Sequence, residues 1–199
     1  MFSFFESLLV EIKMTSVWEW IAVVTAVAYV ILAARKNILC WIFALLSSAI
    51  YVYLCIIGKL YIEAILSLFY VVMAVVGWIA WNAATADDRI HTWKINKHLI
   101  NITISGVLAY LLGLSFDLWT DQAFPYIDAF TTVFSLSATF MIVRKVLENW
   151  IYWIAIDLAS IYLYHDRGYT LTSVLFAIYT LLAIVGFYSW RKSYKQQLL

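Results

Sequence analysis

Long apolar runs alternate with short polar breaks along the chain. Seven runs approach the length of about 20 largely apolar residues that a membrane-spanning helix needs. They cover residues 17–34, 38–57, 61–82, 97–114, 126–143, 147–164 and 169–190. Apolarity is continuous within each run, whereas the strands of a membrane barrel would alternate. The pattern predicts an all-α polytopic membrane protein with seven transmembrane helices, preceded by a short interfacial or helical lead-in.

The composition indicates that lipid surrounds most of the chain's apolar residues. Of 199 residues, 65% are hydrophobic and 13% charged, against about half and a quarter in a soluble domain. The formal net charge of +1 gives no basic footprint for nucleic acid. We therefore expect the lipid bilayer as a partner and no nucleic acid.

The basic residues predict the orientation in the membrane. Seven spans place the two termini on opposite sides, and Lys13, Lys59 and Arg167 fall on the amino-terminal side. The other side carries ten basic residues: Arg35, Lys36, Arg89, Lys94, Lys97, Arg144, Lys145, Arg191, Lys192 and Lys195. The positive-inside rule then places the amino terminus outside and the carboxyl terminus in the cytoplasm.

An internal repeat divides the chain. The segment YVVMAVVGWIAW (70–81) matches YTLLAIVGFYSW (179–190) at an offset of 109 residues, which Arg35-Lys36 and Arg144-Lys145 share. NILCWI (37–42) resembles NWIYWI (149–154) at an offset of 112. We expect two parallel three-helix bundles, 17–82 and 125–190, related by a pseudo-twofold axis along the membrane normal. The lead-in is 1–16, residues 83–124 hold a cytoplasmic loop, a linker helix and an outer loop, and 191–199 form a basic cytoplasmic tail.

The sixth span carries a polar stripe within ENWIYWIAID (148–157). Trp150, Trp153, Asp157, Ser160 and Tyr164 recur at spacings of three and four, so they share one helical face. Asp157 lies near the membrane midplane, where an ionisable side chain suggests a functional site. Indole faces attract cations and a carboxylate pairs with them, so the stripe fits a flat cationic ring. The alternative is a structural stripe packed between helices.

Other side chains are candidates for the same substrate site. Glu148 and Asn149 lie nearer the cytoplasmic mouth of the sixth span. Asp128 either lines an outer vestibule or caps the amino terminus of the fifth span. Trp41 and Tyr51, in the second span, belong either to an aromatic lining or to the core.

Other classes of protein find little support in the chain. His91, His98 and His165 are dispersed and predict no metal site. No nucleophile is paired with a base, so we expect neither an enzyme nor a cofactor. The last span lacks the lysine that a retinal photoreceptor requires, whereas a non-transporting receptor stays open as an alternative.

The stretch DAFTTVFSLSATFMIVRKVLENWIYWIAID resembles the PnuC family of bacterial vitamin transporters. The resemblance rests on Asp128 and Thr132, on Ser135 and Ala138, and on Arg144-Lys145 followed by ENWxxW, and it continues through GWIAW and GFYSW. It implies a three-plus-one-plus-three helix fold like that of a full-length SWEET transporter. The WxxW element would belong to the substrate site.

The resemblance also implies an activity. Such a protein would take up a B-type vitamin across the bacterial inner membrane by facilitated diffusion, and a cytoplasmic kinase would trap the vitamin by phosphorylation. Nicotinamide riboside, thiamine and riboflavin are the substrates of the family. Thr139 stands where many nicotinamide riboside transporters carry glutamine, which leans the expectation slightly toward thiamine, with nicotinamide riboside as the alternative. The oligomeric state stays open.

Overall fold

The computed structural model describes residues 4–59, 61–83 and 89–199. The first three residues of the predicted lead-in and residues 84–88 of the predicted cytoplasmic loop lie outside this described part. Within it the chain forms eight helices in this order: α1 (Phe4–Met14), α2 (Val17–Ala34), α3 (Cys40–Ile57), α4 (Tyr61–Ala83), α5 (Ile95–Trp119), α6 (Pro125–Val143), α7 (Asn149–Asp166) and α8 (Thr170–Gln197).

Local sequence explains where several helices begin and end. Ser16 and Glu19 form a capping box at the start of α2, with each backbone N–H donating to the other residue's side chain. Pro125 occupies the first turn of α6, where its missing N–H has no helical partner to lose. The turns after α2 and α6 each place a lysine, Lys36 and Lys145, in the left-handed region, which ends the helix and reverses the chain.

The helices pack as two sequential groups. In the first group α2 packs on α3 and α3 on α4, and in the second α6 packs on α7 and α7 on α8. Two contacts join the groups, α2 against α8 and α4 against α6. Helix α5 packs against α6 at the edge of the second group, and α1 packs against the start of α8.

The outer surface of these groups is apolar. Large hydrophobic side chains such as Ile65, Leu111 and Leu181 are more than half exposed. Exposing such patches to water would be unfavourable, whereas contact with lipid tails carries no such cost. The exposed apolar surface therefore defines the face that the bilayer covers.

Six helices of the described part are long and apolar enough to cross a membrane: α2, α3, α4 from Glu63, α5, α6 and α8. The predicted sixth span, α7, is not among them, because Asn149, Asp157, Ser160 and His165 lower its hydropathy. Instead α7 packs between α6 and α8 and buries Asn149, Asp157 and Ser160 inside the protein, while His165 at its carboxyl-terminal end is exposed. Composition alone thus supports six spans rather than the predicted seven.

The amino-terminal helix is fastened by a carboxylate. Glu11 accepts hydrogen bonds through its two oxygens from the backbone N–H groups of Thr170 and Leu171, at 2.9 and 2.8 Å. These N–H groups lie in the first turn of α8, where no intrahelical acceptor exists. The carboxylate therefore caps α8 and holds α1 against it.

Replacing Glu11 with alanine should lower the free energy of unfolding by about 1 kcal/mol, the usual effect of losing a helix cap. The measurement is the thermal midpoint of the purified protein in detergent. Lys13→Ala, on the same helix, is the control and should leave the midpoint unchanged. Equal midpoints for Glu11→Ala and Lys13→Ala would contradict the capping role.

Candidate substrate site

Helix α7 turns its polar stripe inward. Asn149, Trp150, Asp157 and Ser160 are all buried, while Ile151 and Leu158 on the other side are at least half exposed. The 3.6-residue period of the helix accounts for this division, because the buried positions recur at three- and four-residue spacings. The carboxylate of residue 157 therefore faces the protein interior and not the lipid.

Asp157 is a buried carboxyl group of this interior without a partner among the described residues. Its side chain is 3% exposed, and within the described residues neither carboxylate oxygen has a hydrogen-bond or salt-bridge partner. An ionised carboxylate that is buried without a partner is costly, so buried charges are normally paired. A cation that enters beside Asp157 would supply the missing partner.

One tyrosine lies within electrostatic range of this carboxylate. The phenol of Tyr179, on α8, interacts electrostatically with Asp157 and with Tyr51 of α3. Tyr70, on α4, shares a hydrogen bond of 2.7 Å with Ser135 of α6, across the contact between the two helix groups. Asp157 and Tyr51, both named as candidates from the sequence, therefore lie within electrostatic range of the same phenol.

Asn149 carries an unused acceptor. Its amide Nδ2 donates to the carbonyl oxygen of Val146 at 2.7 Å, while Oδ1 is buried and has no partner among the described residues. The indole N–H groups of Trp41 and Trp150 are likewise buried without an acceptor. Such groups are uncommon in protein interiors and call for a specific explanation.

Four tryptophans, one each on α3, α4, α7 and α8, form a continuous chain of rings. This chain lies on the side of the protein where the basic turns after α2 (Arg35-Lys36) and α6 (Arg144-Lys145) are found. Ring centroids are 5.3 Å apart for Trp41 and Trp81, 6.3 Å for Trp81 and Trp190, and 5.5 Å for Trp190 and Trp150. We call these four residues the tryptophan quartet. Both outer pairs are edge-to-face, at an interplanar angle of 88°, a favourable geometry for aromatic rings.

The quartet also bonds the two helix groups together. The indole N–H of Trp81, on α4, donates to the carbonyl oxygen of Val143 in α6 at 3.1 Å. That of Trp190, on α8, donates to the carbonyl oxygen of Ala33 in α2 at 3.0 Å. Both acceptors lie in the last turn of a helix, and the Ala33 oxygen also accepts from the backbone N–H of Lys36 at 2.9 Å.

Two glycines make room for the outer rings of the quartet. A Cβ atom on Gly77 would lie 2.5 Å from the ring of Trp41, and one on Gly186 would lie 2.7 Å from the ring of Trp150. Trp41 and Trp150 are 109 residues apart, as are the two glycines. This pairing differs from the NILCWI and NWIYWI match, which would align Trp41 with Trp153.

Trp153 packs among apolar side chains, and Thr139 makes a hydrogen bond within its own helix. Trp153 is partly buried and packs against two hydrophobic clusters, one of which contains the quartet. Thr139 is buried, and its hydroxyl donates to the carbonyl oxygen of Ser135 within the same helix, at 2.7 Å. That hydroxyl therefore serves its own backbone.

Glu148 lies at one end of α7, and Asp128 of α6 pairs with Arg167 at the other end, about 28 Å away along the helix at 1.5 Å per residue. Glu148 accepts from the backbone N–H of Trp93 at 3.3 Å and lies 3.9 Å from the imidazole of His98. Asp128 pairs with Arg167 at 3.1 Å and also accepts from Gln122. Each carboxylate therefore joins polypeptide segments near one membrane face, away from Asp157.

Several residues of this interior were not predicted as site residues. Tyr70, Tyr179, Trp81 and Trp190 all lie within the two matched segments of the repeat, which was the signal that could have found them. Within the described ranges no three His, Cys, Asp or Glu side chains lie close enough to hold a metal ion.

Comparison with known proteins agrees with this architecture. Residues 16–192 match the family model described as nicotinamide mononucleotide transporter. The nicotinamide riboside transporter PnuC of Escherichia coli is 25% identical over 90% of this chain and 88% of its own length. The riboflavin/roseoflavin transporter RibM of Streptomyces davaonensis is 30% identical over 60% of each chain. The crystal structure of the vitamin B3 transporter PnuC superimposes with a TM-score of 0.71, at 24% identity, over 88% of this chain and 81% of the other.

The fold and the inward-facing polar stripe define a helical, multi-pass membrane protein. The match of the family model to nearly the whole chain is specific, and the structural likeness shows the same fold. The chain belongs to the PnuC family, as the sequence resemblance predicted, and to the multi-pass proteins of the inner membrane.

Replacing Gly186 with alanine should destabilise the protein by roughly 1–2 kcal/mol, because overpacking against the Trp150 ring outweighs the better helix propensity of alanine. Thermal unfolding in detergent measures the effect, and Gly77→Ala should act in the same direction.

Gly106→Ala is the matched control for both glycine variants. It also lies within a helix, and a Cβ there meets no atom within 4 Å. This variant should be neutral or slightly stabilising. A similar loss of stability in all three variants would show that the tight contact with the indole rings is not the cause.

Proposed function

We propose that the protein is a passive transporter for the uptake of nicotinamide riboside, a flat cationic B-type vitamin. The observation that carries the proposal is the buried carboxylate of Asp157, which has no partner among the described residues and lies within electrostatic range of the Tyr179 phenol. A positively charged pyridinium ring would pair with it and lie against the tyrosines. Trp150, Trp153, Asn149 and Tyr51 are proposed to complete the site.

The relatives favour nicotinamide riboside over thiamine, so the slight preference for thiamine drawn from Thr139 is replaced. The Thr139 hydroxyl is used by its own helix and gives no reason to prefer an aminopyrimidine. The free Oδ1 of Asn149 suits the N–H group of a carboxamide. RibM, named for riboflavin, indicates that proteins of similar sequence also carry larger, uncharged rings.

The proposed topology has seven spans, with α7 crossing the membrane inside the protein. Helices α2–α4 and α6–α8 would be parallel bundles related by a pseudo-twofold axis, and α5 would be the linker. The two contacts between the groups, α2 with α8 and α4 with α6, exchange under that operation. So do the paired settings of Trp41 with Gly77 and Trp150 with Gly186. The bias of basic residues supports an external amino terminus.

The tryptophan quartet is the proposed cytoplasmic gate. It lies beside the basic turns at Arg35 and Arg144, and it bridges the two groups through the indole N–H groups of Trp81 and Trp190. Asp157 lies about two helical turns deeper along α7 than Trp150. Opening toward the cytoplasm would separate these rings and expose the bound vitamin. The outer carboxylate, Asp128, is proposed to belong to the opposite vestibule, and Glu148 to the inner one.

Replacing Asp157 with asparagine should weaken nicotinamide riboside binding by about tenfold or more, since it removes the charge and keeps the size. Calorimetry on purified protein measures this loss. Asp166→Asn is the matched control, because Asp166 lies on the same helix but is exposed at its outer end. It should bind like the wild type.

The reduced riboside, whose ring has nearly the same shape but no charge, isolates the electrostatic contribution. Wild-type protein should prefer the cationic form, and Asp157→Asn should lose most of that preference. An equal preference in both proteins would remove Asp157 from the site even if overall affinity fell.

Facilitated diffusion with trapping predicts a specific uptake pattern. Labelled nicotinamide riboside should equilibrate across proteoliposomes without accumulating, and ionophores should have no effect. Enclosing a riboside kinase with ATP should then produce accumulation of the phosphorylated product. Concentration above equilibrium without kinase would indicate ion coupling, whereas binding without exchange of label would indicate a receptor.

A further inference from the structure

The turn between α6 and α7 borders a basic hollow at the edge of the protein. The hollow has a volume of about 410 Å³ and is lined by His91, Thr92, Trp93, Lys97, Phe140, Arg144 and Val146. Residues 91–93 reach it because the backbone of His91 forms a parallel bridge with Val146. The hollow is separate from the interior around Asp157.

Two cations at this hollow have no anionic partner among the described residues. Lys97, in the first turn of α5, and Arg144, at the end of α6, are both exposed and form no ion pair among the described residues. The Arg144 guanidinium lies 5.1 Å from the ring centroid of Phe140, which orients it by a cation–π contact. Glu148 is engaged with Trp93 and His98 and does not line the hollow.

The surroundings of the hollow are those of a membrane boundary. Ile100, Ile104 and Leu111 of α5 are more than half exposed, and Phe140 of α6 is also exposed. These side chains continue along the α5–α6 surface from the hollow toward the membrane interior. A molecule with an anionic head and apolar tails would match both parts at once.

We propose that this hollow binds the headgroup of an anionic phospholipid from the cytoplasmic leaflet, with Lys97 and Arg144 as the phosphate ligands and the α5–α6 surface holding an acyl chain. Basic pockets beside transmembrane helices on the cytoplasmic side are suited to such headgroups. Arginine can bind phosphate oxygens in a bidentate manner, and lysine adds a point charge. Trp93 suits the interface between headgroups and tails.

The repeat supplies a control at the other helix end. Arg35 follows α2 as Arg144 follows α6, 109 residues later. In the first group no linker helix packs beside that turn, and Arg35 lines neither of the two described hollows. Arg35→Gln therefore removes the same charge from a comparable turn without touching the proposed site.

The experiment measures binding of phosphatidylglycerol to the full-length protein in a neutral detergent by native mass spectrometry, with phosphatidylcholine as the uncharged comparison. Wild type should prefer phosphatidylglycerol. Lys97→Gln with Arg144→Gln should weaken its binding about 30-fold, since each cation near an anionic surface contributes roughly fivefold. Arg35→Gln should bind like the wild type. Circular dichroism of each variant checks folding.

Three results would overturn the assignment. An equal loss in Arg35→Gln would show diffuse attraction to the basic surface. Equal binding of phosphatidylcholine would show that charge is not recognised. Displacement of the lipid by millimolar inorganic phosphate would assign the hollow to a soluble anion. Should the double variant fail to fold, Lys97→Gln alone and the charge-preserving Lys97→Arg with Arg144→Lys should give a partial loss and near-normal binding respectively.

Discussion

The close approach of indole rings to glycine backbones governs how the helices of this protein meet. Trp41 lies on Gly77 and Trp150 lies on Gly186 with no room for a methyl group, so α3 with α4 and α7 with α8 are locked at one end. Lipid supplies no hydrophobic force between helices, and close packing must provide it. Trp81 and Trp190 then extend the ring chain across the two groups, and their N–H groups donate to carbonyl oxygens in the last turns of α6 and α2. The buried side chain of Lys145 stacks over the Trp81 ring, which places a positive charge against the same aromatic surface.

Helix α7 carries polar groups on its inner face in a protein whose outer surface is apolar. Its neighbours shield Asn149, Asp157 and Ser160 from the bilayer, so the cost of the polar groups falls on the protein interior. There some polar groups have a hydrogen-bond partner and others do not. Asn149 keeps one side of its amide bonded and the other free, and Asp157 has none within the described part. Such incomplete satisfaction is what a site for a polar ligand requires before the ligand arrives.

The helices were largely predictable, and the contacts among their side chains were not. Continuous apolarity predicted helices α2 to α8 to within a few residues at most ends, because the thickness of the membrane fixes the length of an apolar span. The 3.6-residue period likewise indicated which face of α7 would be buried. Periodicity could not show that Glu148 would bind the backbone of Trp93 or that Asp128 would pair with Arg167, since these partners lie far away in sequence. Nor could it show that Trp41 and Trp150 pack tightly on glycines. Gly77 and Gly186, one in each matched segment, are the positions in the sequence that could have predicted this packing.

Helix α5 is attached, among the described residues, to the second helix group only. Asn101 accepts from Ser137 of α6, His98 shares a hydrogen bond with Tyr152 of α7, and the segment before α5 is bridged to Val146. Any rocking of the bundles would therefore divide the molecule into a lighter body and a heavier one. A twofold axis along the membrane normal does not exchange the two membrane faces, so the inward-open and outward-open states of such a carrier need not have equal free energy, and its half-saturation concentrations can differ on the two faces. Detailed balance fixes the ratio of the corresponding maximal rates, and the asymmetry sets the speed of exchange without giving it a direction.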